Sequence, residues 1–314
     1  MINPESRYIT ERLGLNNIAD MDLLYKAVYG SERSSGFFTN KYDTGYTGAK
    51  YIGYLAYNQQ HHPIAFYGVI PTLIWYNGKT ILTAQSADTM THPGYRNMGL
   101  FTKLANLTYA LCKQEGICFV FGFPNQNSLP GFIKMGWHMA DSLDQFEIPV
   151  TSVLPLQKIA RKYPALKSVY TWYTDRVLKN YLKDKKGVQN CVLTDGYNGV
   201  FRDDNYLKYK SYSPTRVIEI DGALFWIKLQ NGLQIGDIEN IGDSFKSVIN
   251  KLKKLARKLG ATQIYFQASP QTKLHTLFVG ICQPAPAFHA GFKNIDAGLS
   301  LDNIKFTLAD IDIF

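Results

Sequence analysis

Apolar positions first recur at helical spacing between residues 17 and 29, and Gly30 ends that pattern. From Tyr51 to His92 the texture changes to alternation rich in Tyr, Ile, Phe and Thr, broken by Asn58 to Pro63 and by Asn77-Gly78. Asn-Gly between two alternating runs is a type I′ hairpin signal, so three antiparallel strands are predicted: Ile52 to Tyr57, Ile64 to Trp75 and Thr80 to Thr91. Helical spacing returns at Leu100, Phe101, Leu104, Leu107, Leu111 and Cys112 and stops at Gly116, ahead of a buried-strand run from Ile117 to Phe123. A short helix from Ser128 to Met135 and a strand near Gln145 to Pro149 complete residues 1–150. The order helix, three strands, helix, strand, helix, strand defines a mixed α/β fold class with an α+β-like order.

Beyond this point the balance of charge shifts. Residues 157 to 187 carry nine Lys or Arg and two Asp, interleaved with Tyr163, Tyr170, Trp172, Tyr173 and Tyr181. That composition marks 151–187 as a basic, aromatic, helical junction. Residues 188–314 alternate strand and helix again, with an amphipathic helix from Ser244 to Leu259. A weak internal repeat connects the two halves. Gly116 and Gly260 each close a helix that precedes a strand, and Gly136-Trp137 corresponds to Gly291-Phe292 after an insertion around Gln283 to Pro286.

With 314 residues, 46% of them hydrophobic, the chain is no disordered segment or small stapled scaffold, and the length suggests two domains. No apolar run approaches the ~20 residues that cross a bilayer, and the first residues show no signal-peptide core. Cys112, Cys118, Cys191 and Cys282 form no C-x-x-C pair and the six histidines show no ligand spacing, so no metal site is predicted. Free thiols suit a reducing cytosol, and a soluble, cytoplasmic protein is the expectation. The net charge of +9 favours an anionic partner without choosing among nucleotide, phosphate-bearing cofactor, membrane surface and RNA.

His92-Pro-Gly-Tyr-Arg-Asn-Met-Gly-Leu-Phe101 lies between a predicted strand and a predicted helix. A Gly turn there leaves the first amides of the helix converging on one point, at the positive end of its dipole, which suits phosphate oxygens. The plain alternative is a loop with Gly99 at a tight bend. The stretch Arg96-Asn97-Met98-Gly99-Leu100-Phe101 resembles the acyl-CoA motif of the GNAT acyltransferase superfamily, with Thr89-Met-Thr-His-Pro93 before it. A second GNAT motif is similar to Asn125, Asn127, Ser128, Phe132 and Gly136-Trp137, in the right order and spacing. The resemblance covers residues 1–150 and implies a GNAT fold there.

It implies further that the co-substrate is acetyl-CoA or another acyl-CoA. Arg96, Asn97, Met98, Gly99, Leu100 and Phe101 would hold the pyrophosphate. The main chain of Thr89, Met90 and Thr91 would pair with the pantetheine arm, with Asn125, Asn127 and Ser128 on its other side. The thioester would then lie where the strands Thr80 to Thr91 and Ile117 to Phe123 splay apart, and Pro124 has no N–H to continue the ladder. The implied reaction is N-acyl transfer to a primary amine of a small molecule or amino-sugar precursor. Phe132 stands where many relatives carry the tyrosine that protonates the leaving thiolate, so another group serves or the thiolate leaves with little help.

Asp88, His92 and the carboxylate of Phe314 are the candidate bases. Each has a structural alternative: Asp88 anchors a bulge or turn, His92 caps the loop, and Phe314 packs as the end of a strand. In 188–314, Asn240 and Asp243 fall where the first half has Arg96 and Gly99, so this GNAT-like lobe lacks the CoA motif and is expected to shape the acceptor side. Arg202, Tyr206, Arg216, Trp226 and His289 are guesses for substrate contacts. Two alternatives stand beside the acyltransferase: a Fem-type aminoacyl transferase, which the retained Arg96 and Gly99 disfavour, and a non-catalytic acyl-CoA-binding module. For the junction, a solvated helical face, peripheral contact with an anionic membrane and RNA binding remain open, and no DNA partner is expected.

Overall fold

The alternating segments become a meander of β2 (Ile52–Tyr57), β3 (Pro63–Tyr76) and β4 (Lys79–Thr91), extended at one edge by β1 (Ile9–Arg12). Asn77 (φ 48°) and Gly78 (φ 85°) both adopt the left-handed conformation that a type I′ turn requires. The computed structural model describes residues 8–152, 154–242, 244–295 and 298–314, and it divides the chain into two compact units. Unit 1 is Met1–Ala140 with His289–Asp302; unit 2 is Asp141–Phe288 with Asn303–Phe314. Both units are discontinuous in sequence, whereas patterning places boundaries at 150 and 187.

In unit 1, α1 (Asp20–Tyr29) and α2 (Phe37–Tyr42) precede the meander. Next come α3 (Leu100–Gln114), β5 (Phe119–Gly122) and α4 (Leu129–Lys134). Helix α3 buries Leu100, Leu104, Ala105, Thr108, Leu111 and Cys112 against Ile52, Ala65, Val69, Ala84 and Val120. Its chain then reverses through Gly116 (φ 74°) into β5, which lies parallel to β4 as a helical crossover allows. On the far side of β5 the antiparallel neighbour is the 289–294 stretch of a strand from the other half of the sequence.

Unit 2 repeats this order. It begins with β6 (His138–Pro149), of which residues 141–149 belong here, followed by α5 (Leu156–Lys162) and α6 (Lys167–Leu178). Then come α7 (Cys191–Thr194), β7 (Gly199–Val200) and α8 (Asp204–Lys210). An antiparallel meander of β8 (Thr215–Ile220), β9 (Ala223–Leu229) and β10 (Leu233–Glu239) leads to α9 (Phe245–Lys258). Strand β11 (Gln263–Ala268) is parallel to β10, and α10 (Lys273–Val279) and β12 (Ala285–Asn294) follow. Strand β11 takes β6 as its antiparallel neighbour. The strand after α4 therefore completes unit 2, and the strand after α10 completes unit 1. The internal repeat is real in topology, with last strands exchanged.

The apolar stripe of α9 (Phe245, Val248, Ile249, Leu252, Leu255, Ala256) packs on Phe225, Ile235, Ile264 and Phe266. Every buried residue of this core lies in unit 2, and every one of the core beneath α3 lies in unit 1.

Candidate functional site

Strands β4 and β5 pair only at Ala84 with Val120 and Gln85 with Phe121. Past that point β4 runs on through residues 86–91 while β5 ends at Gly122, so one edge of β4 is left without a strand partner from β5. Its other edge stays bonded to β3 through a bulge, where Gly68 opposes Ala87 and Phe66 opposes Met90. Asp88 sits in the bulge with φ 49°. Its carboxylate is 2.6 Å from the Lys41 ammonium and accepts a 3.1 Å hydrogen bond from the Tyr42 hydroxyl, both on α2.

At the end of β4 the chain enters a short 3₁₀ turn, Pro93–Tyr95. His92 begins it: its Nδ1 accepts from the Gly94 amide at 3.1 Å, and its ring meets Tyr95 edge-on. Then come Arg96, exposed and without an ion pair among the described residues, and the two left-handed residues Asn97 (φ 64°) and Gly99 (φ 73°). Gly99 is the N-cap of α3, and no side chain caps the helix. A Cβ added at Gly99 would project into open space, with no atom within 4 Å. A concave turn with left-handed residues, feeding an uncapped helix whose dipole points its positive end outward, fits a diphosphate. The 125–128 turn follows β5. There Asn125 Oδ1 accepts from the Asn127 and Ser128 amides at 2.9 and 3.1 Å, and the Ser128 hydroxyl accepts from the Asn125 amide.

Several motif residues are packed in the interior. The Phe101 ring packs against the backbone of Gly131 and edge-on against Phe132 at 5.3 Å, Leu100 is buried, and Met98 packs partly on the core. Phe314 is buried in unit 2, edge-on to Trp226, and its main-chain oxygen accepts from Ser213. Asp243 lies outside the described residues. Arg202 and Trp226 are fully buried in unit 2. Arg202 is held by Asp237 and Asp310 at 2.6 and 2.7 Å, so neither it nor Trp226 is a surface contact for substrate.

Four further residues gather where the strands part. Ser86, the first β4 residue beyond the last β5 pair, donates to the Tyr67 hydroxyl at 3.1 Å. Tyr67 and Tyr109 share a 3.0 Å hydrogen bond, and Trp137 Nε1 donates to Tyr109 at 2.8 Å. Burial pushes the Tyr109 hydroxyl up to about 12 and Tyr67 well above its ordinary value. Both are therefore neutral hydrogen-bonding groups rather than acids near pH 7. Phe132, beside them at 4.5 Å from the Trp137 ring, carries no hydroxyl into the network. Only their meeting in space marks these residues, which come from β3, β4, α3 and the turn after α4. No group of three or more His, Cys, Asp or Glu able to hold a metal occurs among the described residues.

The mixed sheet of unit 1, with β5 parallel to β4, is the fold that the resemblance to the GNAT acyltransferases implied. Residues 18–140 match the family model described as an acetyltransferase (GNAT) domain. No curated protein sequence matches the chain. Among solved structures it is similar to a conserved Enterococcus faecalis protein (TM-score 0.57, 10% identity, 92% of this chain and 73% of that one). It is also similar to GCN5-related N-acetyltransferases of Kribbella flavida (0.55, 10%, 92% and 72%) and Anabaena variabilis (0.53, 11%, 92% and 73%). At such identities the likeness is one of fold.

Proposed function

We propose that this protein transfers an acetyl group from acetyl-CoA to the primary amine of a small molecule or amino-sugar precursor. The observation that carries this reading is the run of β4 past its last β5 pair into an uncapped helix start with Asn97 and Gly99 left-handed. The amides of residues 98–100, with Arg96, hold the pyrophosphate. The free edge of Thr89, Met90 and Thr91 bonds the pantetheine arm as an added strand would, and Asn125, Asn127 and Ser128 close the other side. Acyl-CoA supplies an activated thioester.

The amine lone pair attacks the thioester carbonyl carbon, the C–N bond forms, and the C–S bond breaks with its electrons on sulfur. The nitrogen releases one proton and the thiolate gains one. Being neutral at pH 7 costs an α-amine of pKa ~8 about 1 kcal/mol, but a lysine-like amine near 10.4 about 4–5 kcal/mol, so only the latter needs a strong base. Of the candidates, Asp88 is already tied to Lys41 and Tyr42, while His92, whose Nδ1 lone pair accepts from the Gly94 amide, carries its proton on Nε2 when neutral and takes the amine proton at Nδ1 once that turn bond opens. Ser86 offers the hydroxyl that Phe132 lacks: its one proton, which bonds Tyr67 at rest, turns to the charge developing on sulfur, and Tyr67 then donates to the Ser86 oxygen.

Thiol release from acetyl-CoA across a panel of amines tests the proposal. Amine-dependent release supports it. Tight CoA binding without release from any amine supports the non-catalytic acyl-CoA module that Phe132 keeps in view, and neither binding nor release refutes both.

A further inference from the structure

We propose that the helical hairpin formed by α5 and α6 docks this protein on the surface of an anionic lipid bilayer. On its inner side α6 is fixed to the end of α9: the Tyr170 and Tyr173 hydroxyls donate to the Leu259 and Lys258 carbonyls at 2.9 and 2.7 Å, and Thr174 and Leu178 are buried. On the outer side Leu166, Val169 and Trp172, spaced three apart, form one apolar stripe, exposed by 43, 58 and 64%. Leu154 and Tyr163 are likewise exposed. A surface helix ordinarily turns such a stripe inward, and a contiguous exposed one marks an interaction face. The stripe itself, with Leu156, Ile159 and Ala160 of α5, lines a cavity of about 260 Å³ that is open to the outside.

Charge selects the occupant. Lys158, Lys162, Lys167 and Lys179 form no ion pair among the described residues, and Lys162 Nζ lies 5.6 Å from the Tyr163 ring centre. Asp175 is the one acid between residues 154 and 180, and Arg216 already pairs with it. A second copy of the chain would bring these lysines against one another. Lysine is also depleted at protein interfaces, whereas long cationic stems around exposed Trp and Tyr suit a headgroup layer of opposite charge. Among the described residues no helix is long and apolar enough to cross a membrane, so the hairpin lies on the surface with Leu166, Val169 and Trp172 below the headgroups.

Co-sedimentation of the full chain with vesicles tests this. Vesicles containing phosphatidylglycerol should pellet the protein, pure phosphatidylcholine vesicles should pellet far less, and added salt should release it. Val169→Ser with Trp172→Ser should weaken binding about tenfold or more. Lys162→Ala and Lys167→Ala should each weaken it about fivefold, on anionic vesicles only. Trp75→Ala, on a strand of unit 1, should change nothing, and circular dichroism reports that each variant is folded. The proposal is overturned if the intact chain ignores anionic vesicles, or if the Val169 and Trp172 changes leave binding intact. It is equally overturned if light scattering shows a dimer that those changes dissolve.

Discussion

Helix α3 carries a left-handed glycine at each end, and this symmetry separates a test of the proposed diphosphate receptor from helix stability. Gly99 (φ 73°) opens the helix and Gly116 (φ 74°) follows its last turn; both are exposed, and at both an added Cβ meets no atom within 4 Å. Replacing either with alanine forces an L-residue into the left-handed region at a cost of roughly 1–2 kcal/mol. That corresponds to a Tm loss of roughly 2–4 °C per kcal/mol for a folding unit of this size, the same for both variants. Their effects on CoA should diverge. A phosphate oxygen bonded to the amides of residues 98–100 lies ~3 Å from nitrogen, within reach of a methyl group on residue 99 and nowhere near residue 116. Gly99→Glu adds a charge that, ~5 Å from the pyrophosphate at an effective dielectric of ~20, opposes binding by about 3 kcal/mol, or roughly a hundredfold in Kd. Gly116→Glu should leave Kd unchanged. Calorimetric titration with CoA, beside thermal melts without it, reads both quantities. Equal CoA affinity in the two glutamate variants, or equal loss in both, would refute the receptor.

Ser86→Ala should lower kcat at least about tenfold while CoA affinity holds, because the hydroxyl acts on the departing sulfur and not on the pyrophosphate. Unchanged kcat would remove Ser86 from the site. Alkali should destabilise unit 1. Burial raises Cys112 to about 12 and Tyr109 to about 12, so stability present below their unfolded values near 9 and 10 is lost as pH rises from ~9 to ~12. Urea midpoints across that range should fall less steeply in Cys112→Ala. Arg202→Met leaves Asp237 and Asp310 facing each other without a cation and should cost about 3–5 kcal/mol at pH 7.5. Burial already raises the Asp310 carboxyl and the variant raises it further, so part of the loss should return as pH falls toward 5. A pH-independent loss would contradict this.

What was legible in the sequence was local. Asn77-Gly78, Gly30 and Gly116 act through the backbone freedom of one or two residues, and the stripes of α3 and α9 follow from period alone. Short β1 and α2 escaped because four or six residues carry too little periodicity to stand out. The turn proposed to hold the diphosphate was marked only by its resemblance to a family motif, since a strand, a Gly and a helix are equally the makings of any loop. The exchange of β6 and β12 was illegible: alternation says that a strand pairs, and only the packed core says with which sheet. The Ser86, Tyr67, Tyr109 and Trp137 network has no sequence signature, because its bonded pairs lie 19 to 42 residues apart.

The same topology occurs twice, yet only one wedge is open. In unit 2 the parallel pairing of β10 and β11 covers Leu233 to Ile235 with Ile264 to Phe266, and β10 bulges away at Gly236. There the Phe314 ring and Ala309 press on the backbone so closely that no side chain fits at residue 236. Thr307 bridges to Ala268, Ser269 donates its amide to the Phe306 carbonyl, and Arg202 ties Asp237 on β10 to Asp310. The space that in unit 1 would admit a pantetheine arm is filled by residues 303–314 of the chain itself. A wedge already bonded along its free edge makes no demand on the turn before α9, which accounts for Asn240 and Asp243 where unit 1 has Arg96 and Gly99. It follows that Asn240→Arg with Asp243→Gly would not create a second site, because the missing element is an unpaired strand edge rather than a phosphate turn. CoA should bind that variant with the same stoichiometry as the natural chain, one per molecule. A second equivalent in the calorimeter would show that the tail yields its place, and that the two units differ only in their turns.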